Sequence, residues 1–298
     1  MVTSTFGSAP RPARPWYHPL HLIRWAIACL VILYLIPGIY LYFIQTDLIY
    51  HPVPVTATEA EKQTKAVNLV LWDHTTPGAS GPQGYVRPDF ASPAPRGTIV
   101  FFHGNGDPGW ASVESVGPLT QRGFRVFLYE YPGFGTRPGV PTEKTIVPDA
   151  RALIRSLEQA DFGPIYVWGE SLGSGVAAAV CADQSLPVHG LTLVVPWDTL
   201  PNVAQSYYPY YPVRFFMTDL YDSVANLQQF HHPICLIRGD EDDTIFPPLS
   251  INLFAHLPNP KKEIVKVGYG HGDWPMDANL SWWDEAIDFM APKNSAGL

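Results

Sequence analysis

Basic residues are scarce in this chain: 19 Lys and Arg stand against 27 Asp and Glu, a net charge of −8 over 298 residues. Such a chain repels a phosphate backbone and has no counterion release to drive binding, so nucleic acid is not an expected partner. Charge of either sign is sparse, at 15% against a typical ~25%, yet the apolar share of 46% is that of a chain with a core, which excludes a disordered or fibrous composition. Cysteine is nearly absent. Cys29, Cys181 and Cys235 are too few and too scattered for a disulfide framework or a zinc site, and none of the 10 His shares a metal-ligand spacing with them. They read as buried apolar thiols. No internal repeat recurs, and the length fits one large α/β domain with an appendage.

The appendage comes first. From Trp25 to Phe43 no residue is charged, and that run, at ~1.5 Å rise per residue, spans about 28 Å, close to the ~30 Å hydrocarbon core of a bilayer. A secretory signal would be shorter and would end in small residues, whereas this chain continues Ile44-Gln45-Thr46-Asp47. The run therefore reads as a retained single-pass anchor over residues 25–44. Trp16, Tyr17 and Trp25 before it, and Tyr40, Tyr42 and Tyr50 towards and beyond its end, fit interfacial aromatic belts, and Pro37-Gly38 is an expected kink. Arg11, Arg14 and Arg24 precede the span, while the segment after Ile44 opens with one Lys, Lys62. The positive-inside rule then places residues 1–24 in the cytoplasm and the main domain on the extracytoplasmic side.

Residues 45–66 read as a linker and 67–292 as one domain. Short β-branched and aromatic runs occur at 68–72, 98–102, 125–129, 165–168, 191–195, 234–237 and 264–267. Between Glu143 and Ala160 the positions Ile146, Val147, Ala150, Leu153, Ile154 and Leu157 recur at three and four, the stripe of an amphipathic helix. A further helix is expected over 281–290. Strands alternating with helices predict a mostly parallel sheet covered on both faces. Residues 201–222, with Tyr207, Tyr208, Tyr210, Tyr211, Phe215 and Phe216 among Pro201, Pro209 and Pro212, form an insertion that serves either as a lid or acyl-chain wall, or as packing around an irregular connection.

The chemistry concentrates where the run Ile165–Trp168 enters Gly169-Glu170-Ser171-Leu172-Gly173 and then the small-residue stretch Ser174 to Val180. A bare Gly-x-Ser-x-Gly arises by chance in about one chain in ten of this length. Its position between a strand and a helix makes it specific: a sharp turn leaves no room for a Cβ at its flanks and projects the serine alone. A hydroxyl is a weak nucleophile and needs a base within hydrogen-bond reach and a third group to orient that base. Downstream, the strand at 234–237 leads into Arg238-Gly239-Asp240-Glu241-Asp242-Asp243, and the strand at 264–267 leads into Gly268-Tyr269-Gly270-His271-Gly272. Loops at the carboxyl ends of parallel strands are where such sheets place their sites. His271 is the candidate base; Asp240, Asp242 and Asp243 are candidate acids of nearly equal standing, with Asp198 a further possibility better suited to capping a helix. An oxyanion hole needs two backbone donors. The Leu172 amide is one, and the Asn105 amide, with Gly106 as second choice, is the other, in the loop His103-Gly104-Asn105-Gly106. His103 is read as structural, and His231 and His232 as surface residues.

The sequence resembles the α/β-hydrolases, and within them the membrane-anchored serine hydrolases of the bud-emergence type, relatives of protein depalmitoylases. The likeness spans about residues 40 to 290 and rests on Gln45-Thr46-Asp47-Leu48-Ile49-Tyr50-His51-Pro52, on His103-Gly104-Asn105-Gly106, on Tyr131-Pro132-Gly133-Phe134-Gly135, and on the serine, aspartate and histidine loops. The resemblance implies Asp242 as the acid of a Ser171–His271–Asp242 triad. Arg137 stands where relatives usually carry a small hydroxyl residue, and Pro196-Trp197-Asp198-Thr199 alters a loop near the site, so substrate preference is expected to differ. The expected activity is ester or thioester cleavage on a small-molecule or lipid-like acyl substrate through an acyl-enzyme, with no cofactor and no metal. A peptidase of prolyl-oligopeptidase type, or a membrane-tethered binding protein on the same fold, are the alternatives.

Overall fold

A computed structural model describes residues 19–72, 81–90, 92, 96–273 and 279–292. The chain divides into two compact units, Met1–Ile44 and Gln45–Leu298. Helix α1 (Pro19–Ile49) extends beyond the expected 25–44 at both ends and contains Pro37. From Leu20 to Ile49 its most apolar stretch has a mean hydropathy of 2.4 and none of it is buried, so it is long and apolar enough to cross a membrane. Trp25, Tyr40 and Tyr42 are exposed on it; Arg11, Arg14, Trp16 and Tyr17 lie outside the described residues. Cys29, expected to be buried, is exposed on this helix, whereas Cys181 and Cys235 are buried. Among the described residues the apolar stretch of this helix is unburied, which leaves no interior there for a thiol.

In the second unit, α2 (Ala57–Ala66) starts at Thr56, whose hydroxyl accepts from the Glu59 amide and satisfies one of the orphan donors of the first turn. The segment 45–66 is thus no free linker: it contains this helix, and Gln45 and Tyr50 are buried. The remaining elements are β1 (Val70–Leu71), β2 (Gly84–Val86), β3 (Thr98–Phe102), α3 (Gly117–Gln121), β4 (Arg125–Tyr129), α4 (Glu143–Gln159), β5 (Ile165–Glu170), α5 (Leu172–Cys181), β6 (Val188–Val194), α6 (Leu200–Tyr207), α7 (Ser223–Leu227), β7 (Ile234–Gly239), α8 (Pro247–His256), β8 (Lys261–Lys266) and α9 (Ser281–Met290).

The eight strands form one sheet in the order β1-β2-β4-β3-β5-β6-β7-β8. β1–β2 and β2–β4 are antiparallel, and every pair from β4 to β8 is parallel. β3 shows why such strands read as unbroken apolar runs: Val100 and Phe102 join the core that contains α4 and α5, while Ile99 and Phe101 join the core that contains α9. The α4 stripe from Ile146 to Leu157 is buried, and Thr142 and Thr145 close a reciprocal capping box at its start. β1 is shorter than expected because Asn68 turns to φ 56° and the Leu69 amide donates back to Thr64 O, ending α2 where a strand was read. β6 begins earlier, at Val188, through a register irregularity against Ile165.

Candidate functional site

Parallel pairing brings the three loops to one edge of the sheet. Phe102 is in register with Gly169, so the chain leaving β3 runs beside the chain leaving β5; Gly239 is in register with Lys266, which sets the aspartate loop beside the histidine loop. The turn from β5 to α5 puts Ser171 at φ 52° and ψ −118°, a strained conformation for a residue with a Cβ. Its flanks need glycine for a packing reason: a Cβ on Gly169 would lie 2.2 Å from Gly173 O, and one on Gly173 would lie 2.0 Å from Phe102 O. Ser171 itself is fixed by its amide, which donates to Val194 O at 3.0 Å.

Ser171 Oγ lies 2.9 Å from His271 Nε2. On the far side of the ring, Nδ1 lies 2.9 Å from Asp242 Oδ2 and 3.1 Å from Oδ1. A carboxylate accepts only, so the ring proton sits on Nδ1 and leaves Nε2 free to accept from the serine O–H. Asp242 is buried, and its Oδ1 also accepts from the amides of Thr244 and Ile245 at 2.9 and 2.8 Å, which fixes its orientation towards the ring. Its neighbours point elsewhere. Asp240 accepts from the Gly268 amide, and Asp243 meets the Thr244 hydroxyl; both are exposed. Asp198 is buried against Asn202, Asn252 and the Thr199 amide, and the α6 cap is Thr199 rather than Asp198. The structure therefore brings Ser171, His271 and Asp242 together and leaves Asp198, Asp240 and Asp243 out.

The loop after β3 abuts Ser171: a Cβ built on Gly104 would lie 3.6 Å from Ser171 Cβ. Among the described residues neither the Asn105 amide nor the Leu172 amide has an acceptor. Leu172 opens a ten-residue helix, so its N–H is one of the orphan donors at a positive helix end. His103 is buried beneath this loop, packed on Tyr131 with ring centroids 4.2 Å apart; the Tyr131 hydroxyl donates to His103 O at 2.7 Å. It takes a supporting place beneath the loop, and His231 and His232 are exposed. Burial raises the pKa of Glu170, next to Ser171, against the opposing pull of His271 and His103.

Two features bear on the reading of the sequence. Arg137 is buried and binds Asp149 of α4 through two parallel hydrogen bonds of 2.9 Å, with Tyr129 donating to the same carboxylate. The insertion 201–222 is fastened down: Gln45 Oε1 accepts from the Thr218 amide at 2.8 Å, Tyr50 donates to buried Asp219 at 2.7 Å, and the Leu220 and Tyr221 amides donate to Glu143. Its Tyr207 reaches the acid loop, donating to Thr244 O at 2.9 Å. Tyr207 could not be singled out among the five tyrosines of 201–222 by sequence; the only signal was the aromatic density of the segment.

A family model described as the alpha/beta hydrolase fold matches residues 97–231. An uncharacterised protein of Mycobacterium tuberculosis is 34% identical over 178 residues, which is 59% of this chain and 63% of that protein. The lysophosphatidylserine lipase ABHD12 of Danio rerio is 30% identical over 209 residues, 61% of this chain and 53% of that protein. The chain thus spans less than two thirds of the length of these relatives. Among solved structures, the Pyrococcus furiosus esterase Pf2001 superposes with a TM-score of 0.61 at 17% identity, covering 80% of this chain and 97% of the esterase. Est1E of Butyrivibrio proteoclasticus, bound to ferulic acid, gives 0.57 at 17% identity, covering 70% and 93%. At these identities the solved structures speak for the fold alone.

Proposed function

Because the chain carries the α/β-hydrolase fold, we propose that it is a membrane-anchored serine hydrolase of the bud-emergence type that cleaves ester or thioester bonds of acyl lipids. The observation that supports this most is the run of hydrogen bonds from Ser171 Oγ to His271 Nε2 to Asp242, at 2.9 Å each. In this reading His271 takes the serine proton as Ser171 attacks the acyl carbonyl, and Asp242 stabilises the imidazolium that forms. The Asn105 and Leu172 amides receive the oxyanion, with the end of α5 adding favourable potential. His271 then protonates the leaving group, water attacks the acyl-enzyme with His271 again as base, and the acid is released. No cofactor enters these steps.

Lysophospholipid-like esters are the proposed substrate class. The name of the zebrafish relative, the apolar helix that ends at Ile49 and the aromatic insertion held to Gln45, just past the expected span, support it. The arginines before the span, against one Lys, Lys62, in the twenty residues after Ile44, support an extracytoplasmic catalytic domain.

The test is labelling of the full chain in detergent with a fluorophosphonate probe. Wild type is expected to be labelled and Ser171→Ala to be silent; a folded wild type that stays unlabelled overturns the proposal. Comparing acyl esters of increasing length with peptide amides then sets the class: preference for acetyl or butyryl groups removes the lipid assignment, and faster amide cleavage favours the peptidase alternative.

A further inference from the structure

The loop that carries Asn105 is poorly fastened by its own residues. Its carbonyl at His103 is fixed by Tyr131, but beyond that point Asn105 sits exposed between Gly104 and Gly106, the latter at φ 98°. Glycines on both sides leave the backbone wide freedom, and the Asn105 amide has no acceptor among the described residues to aim it. A hydrogen-bond donor for a developing oxyanion is effective only if held in place before the reaction.

What holds this loop comes from far away in the sequence. The His51 amide donates to Asn105 Oδ1 at 2.7 Å, and Asn105 Nδ2 meets His51 Nδ1 at 3.2 Å, a two-point clamp between residues 54 positions apart. His51 is itself anchored on both sides. Tyr50 is buried with its hydroxyl on Asp219, and the Val55 amide donates to Gly135 O at 2.9 Å. The chain from Gln45 to Val55 is therefore a strap fixed to the domain at both ends, with Asn105 tied to its middle.

Resting on the function proposed above, we infer that the Asn105 side chain and His51 are positioning residues that aim the Asn105 amide into the oxyanion hole, so that the strap is a working part of the site. The side chain of Asn105 makes no contact with the reacting atoms in this role. It acts through its own backbone.

Asn105→Ala removes both clamp bonds and keeps the amide. On a short-chain p-nitrophenyl ester, kcat is expected to fall about tenfold with KM within about twofold and an unchanged Tm, less than the loss on deleting a donor outright. Inhibition by phenylboronic acid, whose tetrahedral adduct with Ser171 places an oxygen in the same hole, is expected to weaken by the same factor. His51→Ala keeps the main-chain bond and is expected to lose about threefold, and the double variant no more than Asn105→Ala alone, because the two residues share one interaction. If Asn105→Ala fails to fold, His51→Ala decides by the same two readouts. Wild-type kcat and boronate inhibition in the variants, or a loss confined to KM, overturns the inference. A wild type that is neither labelled nor active sinks the proposed function instead, which keeps the two failures apart.

Discussion

Ser171 meets His271 Nε2 at 2.9 Å while its own backbone is held at φ 52°. Ser171, the proposed nucleophile, is presented by a bend that costs energy for any residue bearing a Cβ, on the order of 1–3 kcal/mol.

That cost predicts a split between two inactive variants. Ser171→Ala and Ser171→Gly both lose hydrolysis by at least about 10³-fold. The glycine variant is expected to be more stable than the alanine variant by about 1 kcal/mol, because glycine adopts a positive φ without strain. Thermal denaturation of the pair checks it; equal Tm values remove the strain.

Asp242 is the only one of the three neighbouring aspartates that faces the His271 ring. Asp242→Asn leaves the ring free to take the wrong tautomer and is expected to lower kcat by about 10⁴-fold. Asp240→Asn and Asp243→Asn are expected to stay near wild type in the same assay. An active Asp242→Asn beside an inactive Asp240→Asn would reassign the acid.

Arg137 and Asp149 form a bidentate pair whose side chains are 2% and 10% exposed. Removing one partner strands the other. Arg137→Ala is expected to cost about 3 kcal/mol, a fall in Tm on the order of 6–12 °C, while the preference among acyl chain lengths stays as in wild type. A shift in that preference without a loss of Tm would place Arg137 at the substrate site instead.

Burial holds the Glu170 carboxyl above its ordinary pKa near 4.5. The folded state then keeps a proton that the unfolded state has already released, so this group's share of stability is largest below pH 4.5 and falls as pH rises through its folded value. Glu170→Gln is expected to raise Tm at pH 8 relative to wild type and to show no such gain at pH 4. An equal gain at both pH values would make the effect one of packing.

Much of this was legible in the residues. Parallel strands buried on both faces are continuous apolar runs, which is why 98–102 and 125–129 were placed to the residue, and the α4 stripe and the run 281–290 carry their helical period openly. The serine turn was legible because its glycines answer a steric demand set by two other elements. The acid was not: Asp240, Asp242 and Asp243 are chemically alike, and only the register of β7 against β8 decides which one meets the ring, so Asp242 was singled out by family likeness. The role of Arg137 is not legible, because its partner, Asp149, lies on a helix face that otherwise reads as apolar. The 45–66 segment looked like a linker because its anchors, Gln45 and Tyr50, bind residues some 170 positions away.

Tyr207 and Thr244 join the aromatic insertion to the loop of Asp242 by one hydrogen bond. A segment stitched there, and again at Gln45 and Glu143, cannot swing aside as a free flap. In an enzyme working as proposed, an acyl chain bulky enough to push α6 outward must either snap the tyrosine bond or drag on the carboxylate that orients the base. Admission of a guest and alignment of the proton relay are thereby geared together, and oversized guests would throttle their own turnover rather than simply bind less well.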